Sequence, residues 1–328
     1  MISWGILSTA KIGIEHLIPA IIKAENSNVT AIASRVRERA RSVANRFAIP
    51  KSYGSYEDLL ADPNIDAVYI PLISSEHVTW SIRAADAGKH VLCEKPISLH
   101  AREIEDIIAA RDRNNVLIAE AFMVTYHPQW HKVRSLLADG AIGRLRHVQS
   151  VFTYNNSDPK NMRNILAQGG GALPDIGGYP VVTTRFATGC EPIQTRAHVE
   201  RDPATGTDTY AIWQADFGHF QQSAYVSTRM ALRQEMSFHG DLGWLSLTAP
   251  FNPGLYDAGT INLHNKNHSQ TTTYRFAAIN QYQLQVEHFA NALTGDAEKL
   301  FSLEDSVKTL KLIDAIYAAE DNGSWTEV

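Results

Sequence analysis

The sequence predicts an α/β protein in two parts. The first is a Rossmann-type, doubly wound parallel sheet. The second is an α/β domain with a large, mostly antiparallel open sheet. Three observations predict this. Strand-like and helix-like runs alternate across the first 122 residues, as in a parallel sheet covered by helices. That alternation stops after Phe122, and short alternating runs follow one another from Glu191 to Phe276. The 328 residues are enough for about two domains. The expected division is 1–122 and 123–328.

Composition narrows the partners. Apolar residues make up 44% and charged residues 20%, which suits a soluble chain with sizeable cores. Lys+Arg is 30 against Asp+Glu 35, a net charge of −5, so no nucleic-acid partner is expected. No run approaches the ~20 apolar residues of a membrane span, and none is expected. The first seven residues read as a strand and lack the basic start of a secretory signal. Cys93 and Cys190 form neither a disulfide framework nor a zinc spacing. The expected location is cytoplasmic, with no metal.

Residues 2–7 are an apolar strand candidate. They run into Ser8-Thr9-Ala10-Lys11-Ile12-Gly13 and a helical pattern to about residue 26. Strand, small-residue turn and helix are the layout of a dinucleotide phosphate site, because small residues let the backbone approach the pyrophosphate at a helix N-terminus. Ser8, Ala10 and Gly13 occupy the three slots of G-x-G-x-x-G, so two glycines are missing, and an ordinary tight turn reads the same way. Pro19 inside the pattern predicts a kink or a restart. A second strand, 29–33, ends at Ser34-Arg35. A carboxylate there would bond a ribose 2′-hydroxyl, whereas arginine accepts a 2′-phosphate. With Arg37 and Arg39 following, the reading is NADP(H), with NAD(H) as the alternative; a solvated arginine-rich face is the plain reading.

A short helix at 56–61, a strand at 67–73 and a helix at 77–87 follow. Pro71-Leu72-Ile73-Ser74-Ser75-Glu76-His77 lies at that strand's end, where it can meet the nicotinamide side of a cofactor or simply cap a helix. The next strand, His90-Val91-Leu92-Cys93, delivers Glu94-Lys95-Pro96. Chemistry in open parallel sheets collects at the carboxyl ends of strands, so Lys95 is aimed at a crevice. Pro96 lacks a donor and biases Lys95 away from αR. A helix at 101–113 and a strand at 116–122 complete the first part.

In the second part, a helix runs from His127-Pro128 to about 138, and a strand-like run covers 148–154. Asp158 to Arg163 is a polar loop. Gly169-Gly170-Gly171 leads to Asp175-Ile176-Gly177-Gly178-Tyr179-Pro180, helical to about 186. Asp175 and Tyr179 share a face if this segment is a helix. Strand runs at 193–200, 208–217, 221–227, 234–238, 244–247, 260–263 and 271–275 make the antiparallel sheet, and helices at 283–294 and 304–319 close the chain. A cofactor half and a substrate half place the expected site between them.

Taken in order, these motifs resemble the Gfo/Idh/MocA family, that of glucose–fructose oxidoreductase and inositol dehydrogenase, nearly end to end. Besides those already quoted, Glu120-Ala121-Phe122-Met123 and Gln285-Val286-Glu287-His288-Phe289 carry the resemblance. The branch is the one holding dimeric dihydrodiol dehydrogenases and NADP-dependent xylose dehydrogenases. The resemblance implies dinucleotide binding by 1–122, with substrate binding and oligomerisation by 123–328. It implies a homodimer or higher homo-oligomer through the open sheet. The family's catalytic lysine falls on Lys95, its acid/base position on Tyr179, and its aspartate on Asp175. Cofactor contacts are expected from Ser8, Thr9, Ala10, Lys11, Ile12, Ser34, Arg35, Arg39, Pro71, Leu72, Ser74, His77, Glu94, Lys95 and Pro96.

The implied chemistry is hydride transfer between NADP(H) and a hydroxyl or carbonyl carbon of a sugar, polyol or vicinal diol. A phenol with a reference pKa of ~10 needs a neighbouring ammonium to exchange a proton near neutrality. Tyr179 would exchange it, with Lys95 tuning it; Lys95 as the direct donor is the alternative. Tyr126, Asn161, Arg163 and Tyr179 are the candidate substrate contacts, against packing or surface roles. Two rivals share the fold: an NAD-dependent glycosidase and a non-catalytic nucleotide-sensing regulator. Lys95, Asp175 and Tyr179 together argue against the regulator, which needs no acid/base set.

Overall fold

In the computed structural model, residues 1–295 and 300–328 are described. The chain divides into two compact units, Met1–Met123 with Asn280–Val307, and Val124–Ile279 with Lys308–Val328.

The first unit holds six parallel strands: β1 (Ile2–Leu7), β2 (Ser27–Ala33), β3 (Lys51–Tyr53), β4 (Ala67–Ile70), β5 (His90–Cys93) and β6 (Ile118–Glu120). Their order is β3-β2-β1-β4-β5-β6, so the chain reverses direction across the sheet between β1 and β4. The ends of those strands flank the switch point at which such sheets bind ligands. Helices α1 (Ile18–Lys23), α2 (Arg37–Phe47), α3 (Tyr56–Leu60), α4 (His77–Asp86) and α5 (Ile104–Asn114) connect them. Strands buried on both faces read as continuous apolar runs, and β4 and β5 do so.

Several local expectations shift for physical reasons. The strand expected at 67–73 stops at Ile70, because Pro71 has no N–H for the ladder. The strand expected at 116–122 is only Ile118–Glu120. The helix after β1 ends at residue 23 rather than 26. It runs as a π-type turn at Gly13–Leu17 before α1 restarts, which absorbs the donor missing at Pro19. The strand β3 has no counterpart in the sequence reading.

The second unit opens with α6 (Pro128–Ala138), β7 (Leu145–Asn155) and α7 (Gly178–Thr188). Then come β8 (Gln194–Arg201), β9 (Asp208–Asp216), β10 (Gln221–Ser227), β11 (Arg229–Gly240), β12 (Gly243–Leu247), β13 (Ala258–Asn265) and β14 (Thr271–Ala277). With β15 (Thr326–Glu327) they form one open sheet, ordered β14-β13-β12-β11-β7-β10-β9-β8-β15. Among the described residues of this sheet, only β7 and β10 pair in parallel; the other pairings are antiparallel. The fold class is therefore the expected one.

Two late helices complete the chain, α8 (Gln281–Leu293) and α9 (Leu303–Asn322). The first packs into the core of the parallel-sheet unit, where Phe289 meets Trp4 with ring centroids 5.2 Å apart. No helix among the described residues is long and apolar enough to cross a membrane.

Candidate active site

In the first unit, the strand β5 is buried and ends in a turn, Glu94-Lys95-Pro96-Ile97, pinned by three buried side chains. Tyr69 of β4 donates its hydroxyl hydrogen to Glu94 Oε1 at 2.5 Å. His77, at the start of α4, places Nδ1 2.7 Å from the Pro96 carbonyl and Nε2 3.1 Å from that of Leu72. Glu120, the last residue of β6, accepts the Ile97 N–H on Oε1 at 2.9 Å. The Lys95–Pro96 peptide is cis. Pro96 and Ile97 are buried and Lys95 is half-buried, so the turn is held from beneath while its lysine is presented.

The electrostatics of this turn are unusual. Burial pushes the Glu120 carboxyl up to about 7. The Ser306 hydroxyl, the Ile97 N–H and the Lys95 ammonium oppose that rise, and Glu94 adds to it. Burial also lowers His77, against the pull of its two carbonyl partners. A carbonyl oxygen only accepts, so neutral His77 donates to one of them and only the charged ring donates to both.

The remaining first-unit residues gather at strand ends. Ser8 follows β1 with φ 141°, a backbone angle that suits glycine. Its hydroxyl donates to the Pro71 carbonyl at 3.2 Å and accepts the Ala10 N–H at 3.1 Å. A serine thus makes the turn assigned to the first fingerprint glycine, held by two hydrogen bonds. Thr9, Ala10 and Ile12 are partly exposed, and Lys11 is exposed beside Glu15 at 3.8 Å. At Gly13 an added Cβ would lie 3.5 Å from Tyr69 and 3.6 Å from Pro71, so helix and strand ends pack closely there. Beyond β2, Ser34 turns inward and accepts the Val36 N–H at 3.2 Å. The Arg35 side chain is 75% exposed, 3.8 Å from Glu76 and in contact with the Tyr56 hydroxyl. Arg39 is exposed on α2, and Ser74 is buried before α4. No carboxylate stands at the end of β2. This donor set, a small-residue turn before a helix and an exposed guanidinium one strand over, fits a dinucleotide with a 2′-phosphate.

In the second unit, Asp175 is the hub. Its Oδ2 accepts the Tyr154 hydroxyl at 2.5 Å and lies 2.9 Å from Arg163 Nε. Arg163 is held charged, first by Asp175 and then by Tyr154 and Tyr179, against the effect of burial. Burial and then Asp175 raise the Tyr154 phenol, so it stays a donor. Tyr179 packs its ring on Phe152 at 5.3 Å and Phe251 at 5.5 Å and is 4% exposed. Asp175 lies in a π-type turn, Leu173–Gly177, that runs into α7. Gly171, at φ 145°, precedes it, and a Cβ there would lie 2.1 Å from Asp208 Oδ1. Asp208 in turn accepts the Leu173 N–H at 2.7 Å, which anchors the segment that carries Asp175.

The structure thus joins Asp175, Arg163 and Tyr179 in one cluster, and Glu94, Lys95, Pro96, Leu72 and His77 in another. Asn161 turns its Oδ1 onto the Arg163 N–H at 3.1 Å, shaping the loop that carries the arginine. Tyr126 is buried, and His127 caps α6 by accepting the Gln129 N–H. Sequence reasoning missed Tyr69, Glu120 and Tyr154. Glu120 did leave a signal: a carboxylate closing an apolar strand must be partnered if buried. Nothing in a strand run marks Tyr154. Among the described residues, no group of three or more His, Cys, Asp or Glu side chains is placed to hold a metal ion.

Comparison with known proteins agrees with this fold. A family model described as an oxidoreductase family with an NAD-binding Rossmann fold matches residues 2–122. One described as the GFO/IDH/MocA C-terminal domain matches residues 130–246. An uncharacterized oxidoreductase of Rhizobium meliloti is 43% identical over 333 residues, covering 100% of this chain and 99% of its own. A D-xylose 1-dehydrogenase (NADP(+)) of Haloferax volcanii is 33% identical over 330 residues, covering 99% of each. A 3-ketoreductase from Actinomadura kijaniata, solved with TDP-benzene and NADP, superposes with TM-score 0.90 at 28% identity over 97% of each chain. That enzyme has also been solved with one tyrosine or one lysine replaced.

Proposed function

The chain belongs to the Gfo/Idh/MocA family, as an NAD(P)-dependent oxidoreductase acting on CH–OH groups, and we propose that it moves a hydride between NADP(H) and a carbinol or carbonyl carbon of a sugar, polyol or vicinal diol, with Tyr179 as acid/base and Lys95 assisting it. The observation that carries this reading is the pinned turn, which presents one lysine at the carboxyl end of β5.

Ser8, Thr9, Ala10, Lys11 and Ile12 would hold the pyrophosphate, and Ser34, Arg35 and Arg39 the 2′-phosphate. Pro71, Leu72, Ser74, His77 and the Glu94–Pro96 turn would shape the nicotinamide end. The exposed Arg35 and the missing carboxylate support NADP(H), as do the NADP-dependent xylose dehydrogenase and the NADP-bound ketoreductase among the relatives. The bound dinucleotide supplies the hydride acceptor or donor.

The chain's own residues handle the proton. As the hydride leaves the carbinol carbon, the hydroxyl proton passes to Tyr179 Oη, and in reduction it returns from there. A positive charge favours the phenolate. Arg163, held charged by Asp175, provides one within the second unit, and the Lys95 ammonium provides another while it binds the substrate oxygen. Asp175 fixes Arg163 and leaves Tyr154 as a permanent donor.

The test is NADP⁺ reduction against aldoses, inositols and dihydrodiols, run beside NAD⁺. K95M should lose ~10²- to 10⁴-fold in turnover and keep NADPH affinity. Near-normal turnover in K95M would overturn the assignment.

A further inference from the structure

We propose that Glu120 is a positioning residue for this enzyme: through the Ile97 N–H, its buried carboxyl sets where Lys95 presents its ammonium group. Pro96 has no N–H, so Ile97 offers the first backbone donor after the lysine, and that donor goes to Glu120 Oε1 at 2.9 Å. The other two ties of the turn cannot replace it. His77 holds the Pro96 carbonyl and Tyr69 holds the Glu94 carboxylate, but both come from the β4 side. Glu120 closes the strand on the other flank, where Cys93 and Glu120 are direct neighbours in the ladder. The residue is 1% exposed, so no water competes for its acceptor.

A buried carboxyl in contact with this turn also makes it sensitive to pH. The groups acting on Glu120 are Glu94 and Lys95 from the turn and Ser306 from α9; the buried Cys93 thiol adjoins it on β5 and is itself raised by burial. When charged, the carboxylate binds the Ile97 N–H more strongly than a neutral acid does and attracts the Lys95 ammonium. When neutral, it keeps the hydrogen bond and loses the attraction. The lysine should therefore be held most firmly above neutral pH.

The proposal rests on the role given to Lys95, and its test separates the two. Lysines are labelled by reductive methylation with ¹³C-formaldehyde, and K95M identifies the Lys95 signal by its loss. In the wild-type protein that signal should shift with an inflection near neutral pH. In E120Q, which still offers an acceptor but carries no charge, the inflection should vanish, whether or not Lys95 serves catalysis. Turnover of the wild-type enzyme should rise about tenfold across the same range, while E120Q stays flat with dinucleotide KM unchanged. An unchanged Lys95 inflection or an unchanged rate limb in E120Q overturns the proposal. K95M with normal turnover instead overturns the catalytic assignment. If E120Q does not fold, E120D decides: a displaced inflection supports the proposal, and one at the wild-type pH overturns it.

Discussion

Arg163 and Asp175 face each other with Nε 2.9 Å from Oδ2, and Tyr154 donates to that same oxygen. One carboxylate therefore holds a cation and a phenol at once. In D175A both lose their acceptor, and Arg163 loses the carboxylate that fixes it. The expected loss is about 10- to 100-fold in kcat/KM, larger than in D175N, which keeps an acceptor for Tyr154. Steady-state kinetics of the two variants check this; equal losses would show that the charge pair is idle.

Replacing Tyr179 by Phe removes the oxygen proposed to exchange the proton and leaves the ring on Phe152 and Phe251. Turnover should fall ~10²- to 10⁴-fold, with thermal stability nearly unchanged. A large drop in Tm would mark the hydroxyl as structural instead.

Arg35 is an exposed cation beyond β2, with the rim carboxylate of Glu76 at 3.8 Å and the Tyr56 hydroxyl beside it. R35A should lower the preference for NADP⁺ over NAD⁺ by about tenfold, through the loss of one charge-assisted contact to phosphate. E76Q should move the preference the other way, since it frees the guanidinium. The ratio of kcat/KM values for the two dinucleotides reads both.

Glu120 links stability to pH. Its folded value of about 7 lies above the ~4.3 of an unfolded glutamate, so the folded state binds the proton more tightly. The stabilisation is present below ~4.3 and is lost as pH rises through about 7. Between pH 5 and pH 8 the wild-type protein should lose roughly 2 to 3 kcal/mol that E120Q does not lose. Urea unfolding at the two pH values measures it, and identical pH dependence in both proteins would remove the buried acid from the account.

The residues of the candidate site were largely legible, and their partners were not. Lys95 announces itself because an apolar run and a proline bracket it within seven residues. Arg35 does so because a strand ends without a carboxylate. The hydrogen bond from Ile97 to Glu120 spans 23 positions, and that from Tyr154 to Asp175 spans 21, and neither leaves a period or spacing to read. Ser8 is a similar case: it looks like a damaged fingerprint, yet its hydroxyl ties to Pro71 and Ala10 hold the glycine-like backbone.

What the sequence determined by itself is whatever short windows encode: the two fold halves, the strand ends and the turn residues, since hydrophobic period and proline chemistry act locally. What only the tertiary structure decided is which buried polar groups meet, that β3 joins the sheet, and that residues 280–307 count with the first unit. A buried polar group must find a partner wherever the packed chain offers one, and that choice is made only when distant segments close on each other.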